Sequence, residues 1–342
     1  MRILAASLVV LHHSLSLDYR MPLEDPLFAP SQGYTSTGFL AVCLFFCLSG
    51  FLVTPGLAKT GDVPGYLSRR FMRIMPLLIV VVALTVLVVG PLATSLPLAE
   101  YFSRPATWLY LKNATTSLSL TLPGVTNQHG TETVNGALWT LRYEWLCYFV
   151  LAVLSLLGVL RHRMVVLALW LAAVIVAAVG YGGQLDPGGA VVMLAHLFAY
   201  FGAGTLLYLF RQQVPVSPLL GLAALMALVM AWATGLGVIL APLLTAYLVV
   251  LLGLVRWPWG SWLAKADLSY GIYLIHGPAI ALVMAWLAPT SALVLFLATM
   301  ALVLPLALLS WTLLEKPALA HKTLPADLAR RVLAHFGKGR IA

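Results

Sequence analysis

Arg2 and His13 are eleven residues apart near the amino terminus. On a helix that spacing is three turns plus about 20°, so both groups share one face, about 16 Å apart. Such a wall could meet an anionic group with Arg2 while the imidazole of His13 works deeper. The alternative reading makes Arg2 a topology anchor and His13 a hydrogen-bonded interior residue, and spacing by itself favours that alternative. Further along, Thr140, Glu144 and Tyr148 fall at i, i+4 and i+8, a polar stripe on an otherwise apolar helix, with Arg142 pointing elsewhere. A carboxylate there must be protonated, paired or facing water, and each option makes Glu144 a site candidate. Its competing explanation is an ion pair with Arg142 of a neighbouring molecule or with another buried cation. Ser269, Tyr273 and His276 repeat the pattern at i, i+4 and i+7. Catalysis and a core hydrogen-bond network explain that stripe equally well.

Other polar residues carry weaker signals. Arg69, Arg70 and Arg73 could grip phosphate oxygens bidentately, although a basic cluster is more often a topology signal. Ser49 precedes Gly50 without a G-x-S-x-G elbow, so the pair reads as small residues that let helices approach. His196 reads as a satisfied interior histidine. Cys43, Cys47 and Cys147 lie in apolar runs, without the spacing of a zinc site or a disulfide framework, and are expected to pack in the core. No metal site is expected.

The elements that must position these groups are set by lipid. Of 342 residues 61% are hydrophobic and 9% charged, against roughly a quarter charged in an ordinary globular domain. Apolar runs recur from end to end, which predicts one all-α membrane domain, a polytopic helical bundle. Ten spans are expected, at 3–17, 37–58, 75–95, 137–160, 164–181, 189–210, 217–235, 237–255, 267–288 and 291–314. The first lacks a convincing small-x-small cleavage site after it and is read as a retained helix. With the amino terminus in the cytoplasm, sixteen of the 20 basic residues fall inside. Only Arg20, Arg104 and Lys112 fall outside, and Arg142 lies within a span. Both termini are therefore expected on the cytoplasmic side. The net charge of +9 follows from these short basic loops and the tail, which excludes a nucleic-acid footprint.

Residues 96–136, with Pro97, Pro105, Pro123 and Gly124, read as an extracytoplasmic loop. In the basic tail, 318–342, Leu328, Val332 and Phe336 share a face opposed by Arg330, Arg331 and Lys338, as expected of a helix lying on an anionic leaflet. No internal repeat is evident.

Together these pieces resemble the membrane-bound acyltransferase-3 family, whose members O-acylate bacterial polysaccharides, O-antigens, Nod factors and some antibiotics. The resemblance starts at MRILAASLVVLHHS, where Arg2 and His13 match the family's Arg-x10-His. It continues through LFFCLSGFLV at 44–53, RRFMRIMP at 69–76, ALWTLRYEWLCYF at 137–149, LSYGIYLIHGP at 268–278 and LEKP at 314–317. Cys43 replaces the Asp common before the Phe-Phe pair, and Thr140 replaces the usual Ser. The sequence before Arg2 is short for the family, which leaves an upstream start codon open.

The resemblance implies an acyl-CoA donor, often acetyl-CoA, reaching the protein from the cytoplasm of a bacterium through its inner membrane, with no bound cofactor. The acceptor would be a carbohydrate hydroxyl. His13 would be the catalytic residue, as general base or acyl carrier, with Arg2 as its motif partner and Glu144 orienting or charge-balancing it. Arg69, Arg70 and Arg73 would hold the donor. Ser49, Trp139, Arg142, Tyr143, Tyr273 and His276 would support the site. Family members sometimes carry an appended extracytoplasmic domain, so this chain is expected to act alone or with separate polysaccharide-assembly proteins. Succinyl or another acyl group is an alternative to acetyl. A transporter or flippase of a glycan or small metabolite is the alternative from another class.

Overall fold

The computed structural model describes residues 1–15, 25–115, 117–126, 133–186, 188–255, 266–289, 291–328 and 330. Among these the fold is all-α, and the one β feature is an isolated bridge between Thr121 and Thr133. Eight helices are long and apolar enough to cross a membrane: α2 (Thr37–Thr60), α3 (Val63–Ala93), α4 (Gly136–Leu156), α5 (Arg163–Gln184), α6 (Ala190–Leu209), α8 (Gly237–Leu254), α9 (Ser269–Leu287) and α10 (Ala292–Leu328). Two shorter apolar helices, α1 (Arg2–Leu15) and α7 (Pro218–Ala233), occupy the places of the first and seventh expected spans. Large apolar side chains such as Leu219, Leu225, Leu293 and Ile175 are exposed on the outer faces, where lipid replaces water as the solvent.

The centre of the bundle is the packing of α2 on α6, which run in the same direction. In the apolar solvent the driving force is close packing, so small residues decide it. A side chain at Gly50 would collide with the Phe201 carbonyl, and one at Gly204 with the Cys47 carbonyl. The two backbones therefore touch. Thr54 seals the contact by hydrogen bonding to Thr205 at 3.1 Å and to the Gly50 carbonyl at 2.6 Å. Cys43, Cys47 and Cys147 are buried thiols within this core.

Prolines leave helix carbonyls without donors, and other elements supply them. Pro278 cannot donate to the Leu274 carbonyl, and Asn135 Nδ2 does so at 2.9 Å. Gly277 has no side chain to obstruct that approach. Within α3, Thr85–Val89 form a π turn, in which the Val86 carbonyl would look to Pro91 for an N–H. The hydroxyl of Tyr101 fills the gap at 2.9 Å. Tyr101 belongs to the first of two short helices, Leu98–Ser103 and Pro105–Leu109, so the segment expected as a loop carries ordered, partly buried structure.

Three expectations need correction. The third span starts at Val63, not at 75, because Asp62 caps the Gly65 N–H at 3.0 Å and Pro64 lies in the first turn. Arg69, Arg70 and Arg73 are therefore on a helix. The last helix runs past Pro317 to Leu328, through a π turn at Trp311–Glu315. Arg142 is exposed near the start of α4 rather than buried within it. Arg20, Arg256 and Lys265 lie outside the described residues, as do Arg331, Val332, Phe336 and Lys338 of the tail. Of that tail face, Leu328 is exposed and Arg330 binds Asp62 at 2.9 Å.

Candidate active site

A cavity opens among α1, α2, α3, α4 and α9. Its polar wall is the stripe on α4, since Thr140, Glu144 and Tyr148 all line it, joined by Ser49, Ser269 and Tyr273. Tyr148 donates to Glu144 at 2.5 Å, and the Thr140 and Tyr273 hydroxyls meet at 2.6 Å. Tyr273 also donates to the Ala137 carbonyl at 2.8 Å, which ties α9 to the start of α4. Phe45, Phe46 and Val42 of α2 form the apolar side.

Three guanidinium groups close one end of this cavity: Arg2, Arg70 and Arg73. Asp267, just before α9, bridges two of them, lying 3.3 Å from Arg2 and 2.6 Å from Arg73. Burial pushes the Asp267 carboxyl up, but Arg2 and Arg73 outweigh it and hold the group below the usual aspartate range. The second fork of Arg73 reaches Glu315 at 2.8 Å, and Ser310 donates to the other Glu315 oxygen at 2.9 Å. Arg70 lies 5.8 Å from the ring of Tyr148. The Nε atoms of Arg2 and Arg70 are buried without a hydrogen-bond partner. Such unpartnered donors are costly unless a ligand accepts from them. Arg69 is not on the cavity wall and faces Asp62 at 3.9 Å.

The histidines gather towards the opposite end. His13 Nδ1 lies 3.0 Å from His276 Nε2, with ring centroids 5.0 Å apart, one turn beyond Tyr273 on α9. Neither histidine lines the cavity itself. His12 is turned away to Asp25 at 2.9 Å. The Asp25 carboxylate also accepts from the N–H and hydroxyl of Thr37 and from the Leu27 N–H. These bonds outweigh the upward effect of burial and hold Asp25 below the ordinary range.

The structure thus brings together Arg2, Arg70, Arg73, Ser49, Glu144 and Tyr273 around one space, and joins His13 to His276 beside it. Trp139 and Tyr143 pack edge to face at 5.7 Å, and Arg142 donates to the Tyr143 hydroxyl at 2.9 Å. These three do not line the cavity. His196 is buried with Nε2 on the Tyr34 hydroxyl at 3.1 Å and Nδ1 unpartnered. Sequence reasoning missed Asp267 and Asp25. Asp267 immediately precedes the LSYGIYLIHGP run, and a lone carboxylate at the mouth of a polar helix was the available signal. Among the described residues no group of three His, Cys, Asp or Glu side chains is placed to hold a metal.

A family model described as an acyltransferase domain, of the acyltransferase-3 type, matches residues 1–312. An O-acetyl transferase of Shigella phage Sf6 is 30% identical over 154 residues, which are 44% of this chain and 43% of that protein, less than half its length. Nodulation protein 10 of Rhizobium leguminosarum bv. viciae is 26% identical over 360 residues, covering 97% of this chain and 95% of that protein. No solved structure matches the chain.

Proposed function

The chain belongs to the acyltransferase-3 family, and from that premise we propose that it transfers an acyl group, acetyl in the first instance, from acyl-CoA to a hydroxyl of a carbohydrate. The observation that carries this reading is the pair of unpartnered guanidinium N–H groups, Arg2 and Arg70, on the wall of a cavity reaching into the membrane domain. A phosphate-bearing head fits such donors, because guanidinium forks match phosphate oxygens. The distance along α1 from Arg2 to His13, about 16 Å, calls for a donor whose anionic head and reactive carbonyl are separated by a long arm. Acyl-CoA has that form.

In this reading Arg70 and Arg2 hold the donor's phosphates, while Asp267, itself bound by Arg73, holds Arg2 in place. The arm runs past Thr140 and Tyr273 towards His13, which lies beside the cavity. His13 takes the proton of the acceptor hydroxyl as its oxygen attacks the thioester carbonyl, and the proton passes to the departing thiolate. Placing the Arg2 end at the cytoplasm puts donor entry on the side where acyl-CoA is made, in the inner membrane of a bacterium. An O-acetyl transferase among the relatives supports acetyl as the group and a hydroxyl as the acceptor. The deciding experiment compares, by mass spectrometry, surface and secreted glycans from cells with and without the gene. Loss of an acyl increment is expected. Glycans of unchanged mass but altered location would replace this reading with transport.

A further inference from the structure

We propose that His276 is a positioning residue that fixes the tautomer of His13, so that Nε2 of His13 is the atom that takes the acceptor's proton; this rests on the reading of His13 as the base. Helix carbonyls, His276 and His13 form a continuous polar chain. His276 Nδ1 lies 2.7 Å from the Tyr273 carbonyl and 3.3 Å from the Ile272 carbonyl. Carbonyl oxygens only accept, so this nitrogen carries a hydrogen. Turning the ring over would face carbon to those carbonyls and to His13, losing every bond the ring makes. The orientation is therefore overdetermined.

A neutral ring protonated at Nδ1 has its lone pair at Nε2. That lone pair faces His13 Nδ1 at 3.0 Å, so a neutral His13 donates there and carries its lone pair at Nε2. A second proton on His276 would reverse the bond. It would also place a charge on a side chain only 1% exposed, whose polar contacts are two carbonyls and another imidazole. Among the described residues no carboxylate forms an ion pair with His276 to neutralise it, and an uncompensated buried charge is costly.

Why His276 sits so rigidly follows from its neighbours. It is two residues before Pro278, where the freed Leu274 carbonyl is held by Asn135 and the helix packs through Gly277 against the Asn135 side chain and the Val134 carbonyl. Transfer then proceeds with a defined geometry. The acceptor O–H bond breaks towards His13 Nε2 as the oxygen's electron pair forms the new ester bond. The C–S bond breaks as the thiolate leaves, and the Nε2 proton goes to its sulfur. Throughout, the His13 Nδ1–H remains bound to His276, whose lone pair is suited to the transient imidazolium.

The test uses the full chain in lipid nanodiscs with 15N-labelled histidine, His13 being assigned by difference against His13→Ala. In the wild type, His13 is expected to show a protonated Nδ1 and an unprotonated Nε2. A protonated Nε2 in neutral wild-type His13 would overturn the proposal without touching the identity of the base. In kinetics, His276→Met, which removes the acceptor, should lower kcat on the order of 100-fold with donor KM unchanged. His276→Gln, whose side-chain oxygen can stand near the Nε2 position, should recover most of that loss. Equal losses in the two variants, or a loss confined to KM, would reduce His276 to packing. If either variant fails to fold, the wild-type spectrum decides. Undiminished transfer by His13→Ala would instead overturn the base itself.

Discussion

Arg73 of α3 and Glu315 of α10 form a 2.8 Å ion pair in which the arginine side chain is 10% exposed and the glutamate 2%. The other fork of Arg73 is on Asp267, so both terminal nitrogens are committed to carboxylates. Arg73 is thereby a joint between α3, α10 and the start of α9 before it is a receptor for anything else. Removing one partner of a buried pair leaves the other uncompensated, at about 3–5 kcal/mol. Arg73→Ala is accordingly expected to lower the thermal midpoint of the detergent-solubilised protein sharply, and Arg73→Met with Glu315→Met to recover part of it. An Arg73→Ala protein that melts like wild type would show the joint to be dispensable.

Arg70 has the opposite character. It lines the cavity, its Nε has no hydrogen-bond partner, and Tyr148 only flanks it. Arg70→Ala is expected to raise the donor KM with little change in kcat or melting, the mark of lost ground-state binding. Arg69→Ala, which removes a residue facing Asp62 away from the cavity, should leave the donor KM within about twofold of wild type. Equal effects from the two would remove the distinction that the geometry draws between them.

That distinction shows where sequence reasoning stops. The apolar runs placed the bundle, since lipid permits few alternatives, and helical spacing put Thr140, Glu144 and Tyr148 on one wall because the period of a single helix is fixed. Spacing along one element does not say which neighbour faces it. Arg69 and Arg70 are adjacent in sequence and face different surroundings. His13 and His276 meet across 263 residues, a contact set by how α1 packs on α9. Asp267 was missed for the same reason, because its significance lies in Arg2 and Arg73, from two other elements.

Asp267 carries a pH signature. Its carboxyl is held below the ordinary aspartate range, so what it contributes is fully present above that range and is lost only as pH falls through the lowered value. Between about pH 8 and 5 its ionisation should not alter donor binding. Asp267→Asn removes the charge at every pH, and should raise the donor KM at neutrality by releasing Arg2 and Arg73 from their shared anchor. A wild-type donor KM in Asp267→Asn would show that the anchor is idle.

Asp62 lies beyond the end of α2, next to Arg69, whereas Asp186 lies between α5 and α6 at the end where His196 and Tyr34 meet. With the Arg2 end in the cytoplasm, single cysteines at these positions in a cysteine-free background should label from opposite faces. Asp62→Cys is expected to react only after the membrane is opened. Labelling of both from the periplasm would invert or break the proposed topology.

The strongest contrast is between two adjacent histidines. On α1 they are rotated by about 100°, and each has a distinct partner: His12 pairs with Asp25 at 2.9 Å, His13 with His276 at 3.0 Å. Asp25 is also held by Thr37 and Leu27, so His12→Ala leaves that carboxylate with other donors and should cost modest activity. His13→Ala removes the proposed base and should lower transfer by about 10²–10⁴-fold at equal membrane abundance. Glu144→Gln separates the remaining role. Its carboxylate accepts from Tyr148 on the cavity wall, so a kcat loss there without a change in His13 tautomer would place Glu144 with the substrate rather than with the base. The three variants are compared as acylated glycan per unit of inserted protein. Equal losses from His12→Ala and His13→Ala would dissolve the assignment, since geometry gives the two rings different work.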